Sequence, residues 1–280
     1  MIHGVLRIDA HQHFWRYDPV RDAWISDEMS VLRRDFFPVD LGVHLMDSGI
    51  DGTVAVQADQ SERETEFLLD LAEAHPFIRG VVGWVDLRAD DLPQRLEHFA
   101  AFDRFRGVRH IAQAEPDDFL QRDDVVRAIG RLGEFGLTYD ILVYAHQLPA
   151  ALALVERLPD QPFVVDHLAK PRIRDSAMQP WTTHMRELAG HPNVWCKVSG
   201  LVTEADWKRW RPEEIRPYLD VVFETFAPGR LMFGSDWPVC LVAASYQRVV
   251  ALVEDYAGYL AAAEQDDLFG GSAARFYGLR

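Results

Sequence analysis

The chain has 280 residues, 48% of them hydrophobic, and a formal charge of −15 from 44 acidic and 29 basic side chains. That is enough apolar material for one large core or two small ones, and the scattered basic residues form no stripe of the kind that phosphate contacts need, which argues against a nucleic-acid partner. No run approaches the roughly 18 apolar residues of a membrane span, and the N-terminal stretch carries Asp9 and histidines where a signal peptide would have its apolar core, so a soluble, cytoplasmic chain with no membrane partner is expected.

An acidic surface gives no steering toward anions and weakly favours a neutral substrate. Cys196 and Cys240 are too few and too far apart for a disulfide framework or a zinc ribbon.

In chain order, short β-branched runs alternate with stretches of helical spacing. The first run, residues 6–13, ends in His11-Gln12-His13. Residues 52–57 follow, and Ser61 with Glu64 reads as a capping box for a helix whose face carries Phe67, Leu68, Leu71 and Ala72 and which His75-Pro76 stops. Strands are expected over 78–87 and 105–111. A helix over 124–135 shows Val125, Val126, Ile129 and Leu132, with Gly133 and Gly136 as stop signals. Residues 137–144 and 162–170 read as strands, Thr183 to Leu188 as helical, 193–201 and 231–238 as the last two strands, and 243–260 as a long helix.

Eight strands alternating with helices match the size and order of a (β/α)8 barrel, one α/β domain over residues 1–280. No Gly-rich phosphate turn follows the first strand, which puts a doubly wound sheet second.

Active sites of such barrels sit at the C-terminal ends of the strands. Those ends carry His11, His13, Gln57, Trp84, Asp86, Arg109, His110, Tyr144, His146, Asp166, His167, Lys197, Asp236 and Trp237. Residues i and i+2 of a strand point the same way, so His11 and His13 converge while Gln12 faces away, a geometry that suits two imidazole ligands of a divalent ion.

The stretches DAHQHFW, GVRH, VVDHLAKP, WCKVSGL, LMFGSDWPV and GGSAARFYGL, taken in order along essentially the whole chain, resemble the amidohydrolase superfamily. Within it they are most similar to the sugar-lactonase branch of L-fucono- and L-rhamnonolactonases, with 2-pyrone-4,6-dicarboxylate lactonase more distant. The resemblance implies a distorted TIM barrel that hydrolyses a cyclic ester. It matches His11, His13, His167 and Asp236 to the superfamily's metal-ligand positions, with His110 as a further candidate. Tyr144 stands where a fifth-strand histidine ligand is expected, which leaves a binuclear site incomplete. The branch is also similar to members that keep these positions yet work without a metal. No cofactor is therefore expected to be required, although a single divalent ion such as Zn is compatible with the three histidines and the aspartate.

For such a reaction Asp236 is the expected general base, activating water over the lactone carbonyl, while His11, His13 and His167 orient it and polarise the carbonyl oxygen. Lys197 is read either as a further donor or as an ion-pair partner of Asp166. Trp15, Trp24, Trp84 and Trp237, in or beside strand-end loops, suit the C–H faces of a sugar ring, and Gln57, His110, Tyr144 and His146 suit its hydroxyls. Lys170 and Asp86 read as structural. A dicarboxylate would call for several arginines; only Arg16 and Arg109 lie near the strand ends, and Arg109 should face away from His110, so a small neutral sugar lactone fits better. A mononuclear metal-dependent hydrolase or decarboxylase is the alternative enzyme, and a binding barrel without catalysis the alternative class. Monomer and homodimer both remain open.

Overall fold

The computed structural model describes residues 6–279. Eight strands, β1 (Ile8–Gln12), β2 (Gly52–Val56), β3 (Ile78–Gly83), β4 (Phe105–His110), β5 (Thr138–Ile141), β6 (Phe163–Val165), β7 (Val194–Val198) and β8 (Leu231–Phe233), pair in sequence order. All seven ladders are parallel. The strands are short, rich in valine and buried on both faces, as a parallel sheet covered by helices requires.

The helices are α1 (Pro38–Asp47), α2 (Glu62–Ala74), α3 (Leu92–Ala100), α4 (Asp123–Gly130), α5 (Leu148–Arg157), α6 (Trp181–Ala189), α7 (Pro212–Phe226), α8 (Tyr246–Ala257), α9 (Ala262–Asp266) and α10 (Ser272–Tyr277). The arrangement is a (β/α)8 barrel.

Beyond the end of β8, the barrel closes through the residues that will matter for chemistry. The N–H of Asp236 donates to the carbonyl of His11 at 2.8 Å and that of His13 to the carbonyl of Trp237 at 2.7 Å. Lower down, the Asp9 carboxylate accepts from the N–H of Ser235 at 2.9 Å and the Tyr246 hydroxyl at 3.1 Å, which ties β1 to α8 as well.

Strict alternation would send His11 to the face opposite Ala10. Ala10 packs in the inner apolar cluster with Val54, Val82, Val164 and Met232, yet His11 also lies inside, because the register of β1 against β2 slips between Asp9 and Gln12. Ala273, Phe276 and Tyr277 of α10 belong to the same cluster, so the last helix packs with the apolar part of the barrel interior.

Several expected elements are shorter than their apolar runs. The sixth strand stops at Val165, where the chain leaves the sheet, and the fifth ends at Ile141, three residues before Tyr144. The helix expected over 124–135 breaks into α4 and a 3-10 turn, Leu132–Phe135, that Gly136 ends in a left-handed conformation at φ 68°. The helix expected over 243–260 begins only after Ser245, whose side chain accepts from the N–H of Arg248. Ser61 caps α2 as expected, but the Glu64 carboxylate reaches back past it to the N–H groups of Ala58 and Asp59.

Candidate active site

His11, His13, His167 and Asp236 meet at the C-terminal end of the barrel. Nε2 of His13 lies 3.3 Å from Asp236 Oδ1, Nε2 of His167 3.8 Å and Nε2 of His11 4.0 Å. The two histidines of β1 approach to 3.3 Å between their Nε2 atoms. Nδ1 of His13 bonds the carbonyl of Val56 at 2.7 Å and Nδ1 of His167 the hydroxyl of Ser199 at 2.9 Å, so both rings are held from behind.

Two glycines make room. A Cβ at Gly234 would stand 2.7 Å from the Cβ of His11, and one at Gly200, which is left-handed at φ 63°, 2.7 Å from Cγ of His167.

Backbone strain concentrates at the same place. His167, Leu168, Ala169 and Lys170 all have φ between 48° and 56°, and Asp236 has φ 57°. A left-handed turn of this kind costs about 1–2 kcal/mol per L-residue. Trp181 Nε1 donates to the carbonyl of Leu168 at 2.7 Å, and the N–H of Lys170 donates to that of His167 at 2.8 Å, which hold the turn. Its consequence is that His167 and Lys170, three residues apart, both face one cavity.

Beneath the histidines lies a buried charge network. Lys197 Nζ donates to Asp140 at 2.6 Å and stands 3.0 Å from both Asp166 Oδ1 and Nδ1 of His11. Arg109 donates through Nη1 to Asp166 at 3.0 Å and through Nη2 to the backbone carbonyl of Gln57, and its Nη1 lies 3.3 Å from Nε2 of His11.

Burial would raise Asp166, but Lys197, then His11 and then the charge of Arg109 hold it well below the usual carboxylate range. Burial, with the charge of Lys197, pushes His11 well below the usual imidazole value, and burial lowers His167 to about 4. Burial would also raise Asp236, yet the neighbouring His167 and His13 and the Lys170 charge keep it below its ordinary value. At neutral pH the site therefore holds an ionised Asp236 beside neutral His11 and His167.

Above the cluster opens a cavity of about 510 Å³, within the usual range for small-molecule sites. Trp15, Trp24, Met29 and Trp207 supply much of its apolar wall, and Arg109, Gln113, Tyr144, Lys170, Thr203 and Glu204 join His13, His167 and Asp236 as its polar groups.

Of the expected sugar-contacting residues, Trp15, Trp24 and Tyr144 line this cavity; the others do not. His110 faces opposite to Arg109, as alternation requires, but it is Arg109 that points inward: His110 stacks on Phe119, bonds Glu115 at 2.9 Å and accepts from Trp84 Nε1 at 3.2 Å. Gln57 is fully buried and donates to the carbonyl of Arg109. His146 stacks on Tyr144 from outside and pairs with Asp117. Trp237, which follows the left-handed Asp236, is buried against Phe14 and Phe36. Lys197 sits below the cluster and pairs with both Asp140 and Asp166. Conversely, Lys170, read as structural, faces the cavity, and Thr203, Glu204 and Trp207 lie in a loop with no strand pattern to flag them.

His11, His167 and Asp236 each offer a ligand atom within 4.8 Å of the others, with His13 alongside. Three imidazoles and one carboxylate are a fitting donor set for a single Zn ion.

Fold and site together define a barrel hydrolase of the amidohydrolase type, with its histidine–aspartate cluster at the strand ends. The comparisons agree: residues 8–279 match the amidohydrolase family, and the chain belongs to it. It is 44% identical to an L-fucono-1,5-lactonase of Burkholderia multivorans over 99% of this chain and 97% of that one, and 39% identical to an L-fucono-1,5-lactonase of Burkholderia ambifaria over 97% and 95%. An amidohydrolase from Burkholderia multivorans, solved once with bound HEPES and once with bound Zn, superposes with a TM-score of 0.95 at 44% identity, covering 98% of this chain and all of that one. No helix among the described residues is long and apolar enough to cross a membrane.

Proposed function

We propose that this protein hydrolyses a sugar-acid lactone, with L-fuconolactone or a related aldonolactone as substrate, to the open aldonic acid. The observation that carries the reading is an ionised Asp236 ringed by three histidines at the cavity floor; the two lactonases of Burkholderia support the substrate class.

Asp236 takes a proton from a water held against His13 and His167, and the hydroxide so formed attacks the lactone carbonyl. Arg109, with its charge fixed by Asp166, and the histidine N–H groups stabilise the oxygen as it becomes negative; one such donor is typically worth roughly 100- to 1000-fold in rate. Collapse breaks the ring C–O bond, and Asp236 returns its proton to the departing alkoxide. An alkoxide leaves far more readily than an amine anion, so the protein's own groups suffice and no metal is required. If a Zn ion binds, His11, His13, His167 and Asp236 hold it, and it supplies Lewis-acid polarisation of a bound oxygen.

The test is hydrolysis of a panel of aldonolactones, followed by proton release, with chelator-treated protein whose metal content is measured alongside. Rapid opening of L-fuconolactone by metal-free protein is expected. Activity restored only by Zn or Mn would instead establish a mononuclear metal hydrolase, the reading that the Zn-bound relative favours, and no turnover of any lactone would overturn the assignment.

A further inference from the structure

Lys170 and Glu204 face the cavity but have no part in the proton transfers above. Lys170 Nζ stands 3.8 Å from Glu204 Oε1, beyond hydrogen-bond distance. Among the described residues neither side chain has a closer polar partner. With 20% and 22% of their side-chain surfaces accessible, both are sheltered yet reachable by a bound molecule.

Each is also held in place. Lys170 is the last residue of the left-handed turn and lies 5.8 Å from the centre of the Tyr144 ring. Glu204 sits in a loop braced by Thr203 Oγ1 donating to the carbonyl of Gly200 at 2.7 Å and by Trp207 Nε1 donating to that of Thr203 at 2.8 Å. Strained backbone of this kind clusters at functional sites, where the surrounding structure holds it.

We propose that Lys170 and Glu204 are the hydroxyl-reading subsite of this enzyme: a substrate hydroxyl enters between them, donating its proton to the Glu204 carboxylate and accepting from the Lys170 ammonium. The inference rests on the lactone-hydrolase reading and specifies its substrate as a polyol. An oxygen about 2.8 Å from each closes a bent bridge across the gap. The pair is neutral as a unit, so it suits a neutral polyol, and the Glu204 charge opposes a carboxylate in that place. Burial raises the pKa of Glu204, and Lys170 beside it pulls it back.

The experiment compares wild type, Glu204→Gln and Lys170→Met on a polyhydroxylated aldono-1,5-lactone and on δ-valerolactone, which has the ring but no hydroxyls. The ratio of the two kcat/KM values is expected to fall roughly 10- to 100-fold in each variant, the span of a hydrogen bond to a charged group. An unchanged ratio in both variants overturns the inference while leaving the lactonase reading intact. Calorimetric binding of the corresponding 1,5-anhydroalditol, which cannot be hydrolysed, reads the subsite independently of turnover. Wild type should bind it at least about ten times more tightly than either variant, and equal affinities overturn the inference even if no lactone is opened. Thermal unfolding checks that both variants are folded.

Discussion

Asp236 and His167 set how the proposed reaction answers to pH. Asp236 lies below its ordinary value and His167 at about 4, so the base stays ionised and the imidazole neutral until the medium is distinctly acid. Neither group should therefore give kcat/KM a limb between about pH 5 and 8, and His167 sets a fall toward about pH 4 as it takes up its proton. A limb near the ordinary imidazole value of about 6.5 would show that His167 titrates in the working range, contrary to the burial that lowers it. Asp236→Asn, nearly isosteric, should fold normally and lose roughly 10²- to 10⁴-fold in kcat/KM, the span of general acid–base catalysis; a variant with near-normal turnover would remove Asp236 from the role of base. Asp236 and the three histidines could be read from the sequence because each ends a β-branched run in a short local pattern. Arg109 was visible only as one of two alternating neighbours, and alternation alone does not say which faces inward. Glu204 and Trp207 were silent, since a loop held by its own side chain–carbonyl bonds leaves no periodic trace.

The elements around the site are shaped to bring side chains closer than regular strands allow. Gly200, just beyond β7, is left-handed, and its missing side chain is where the His167 ring sits. Gly200→Ala should cost about 1–2 kcal/mol for the backbone alone and push the imidazole from Ser199 and Asp236, with a fall in kcat/KM of about tenfold or more, as expected when a catalytic group is misplaced by an ångström. Thermal unfolding and steady-state kinetics on the one variant check both; a stable, fully active protein would mean that the turn yields without moving the ring. The sequence rhythm located all eight strands, yet overshot most of their C-terminal ends. Past Val165 the chain stays buried, and a buried left-handed turn has the same composition as a strand. Burial leaves its mark on residue type, whereas the sign of φ does not.

At the scale of the whole barrel, the charges below the site join parts of the chain far apart in sequence. Lys197 of β7 touches Asp140 of β5, Asp166 beyond β6 and His11 of β1, and Asp140 also accepts from the Tyr277 hydroxyl of α10 at 2.8 Å. Removing one partner of a buried pair leaves an uncompensated charge, which typically costs about 3–5 kcal/mol. Lys197→Met should do this mainly to Asp140, because Asp166 keeps Arg109. Asp140 is raised to about 6 by burial even with Lys197 beside it. A raised carboxyl binds its proton more tightly in the folded state, so its contribution to stability is present below the unfolded value of about 3.8–3.9 and is lost as pH rises through the folded one. Without Lys197 the folded value climbs further. The deficit of the variant should therefore be large at about pH 8 and shrink toward about pH 5, where a protonated Asp140 needs no cation. Urea unfolding of both proteins at the two pH values measures it directly. A deficit of equal size at both would mean that the ammonium serves as packing volume, and that the barrel is not held to its last helix through charge.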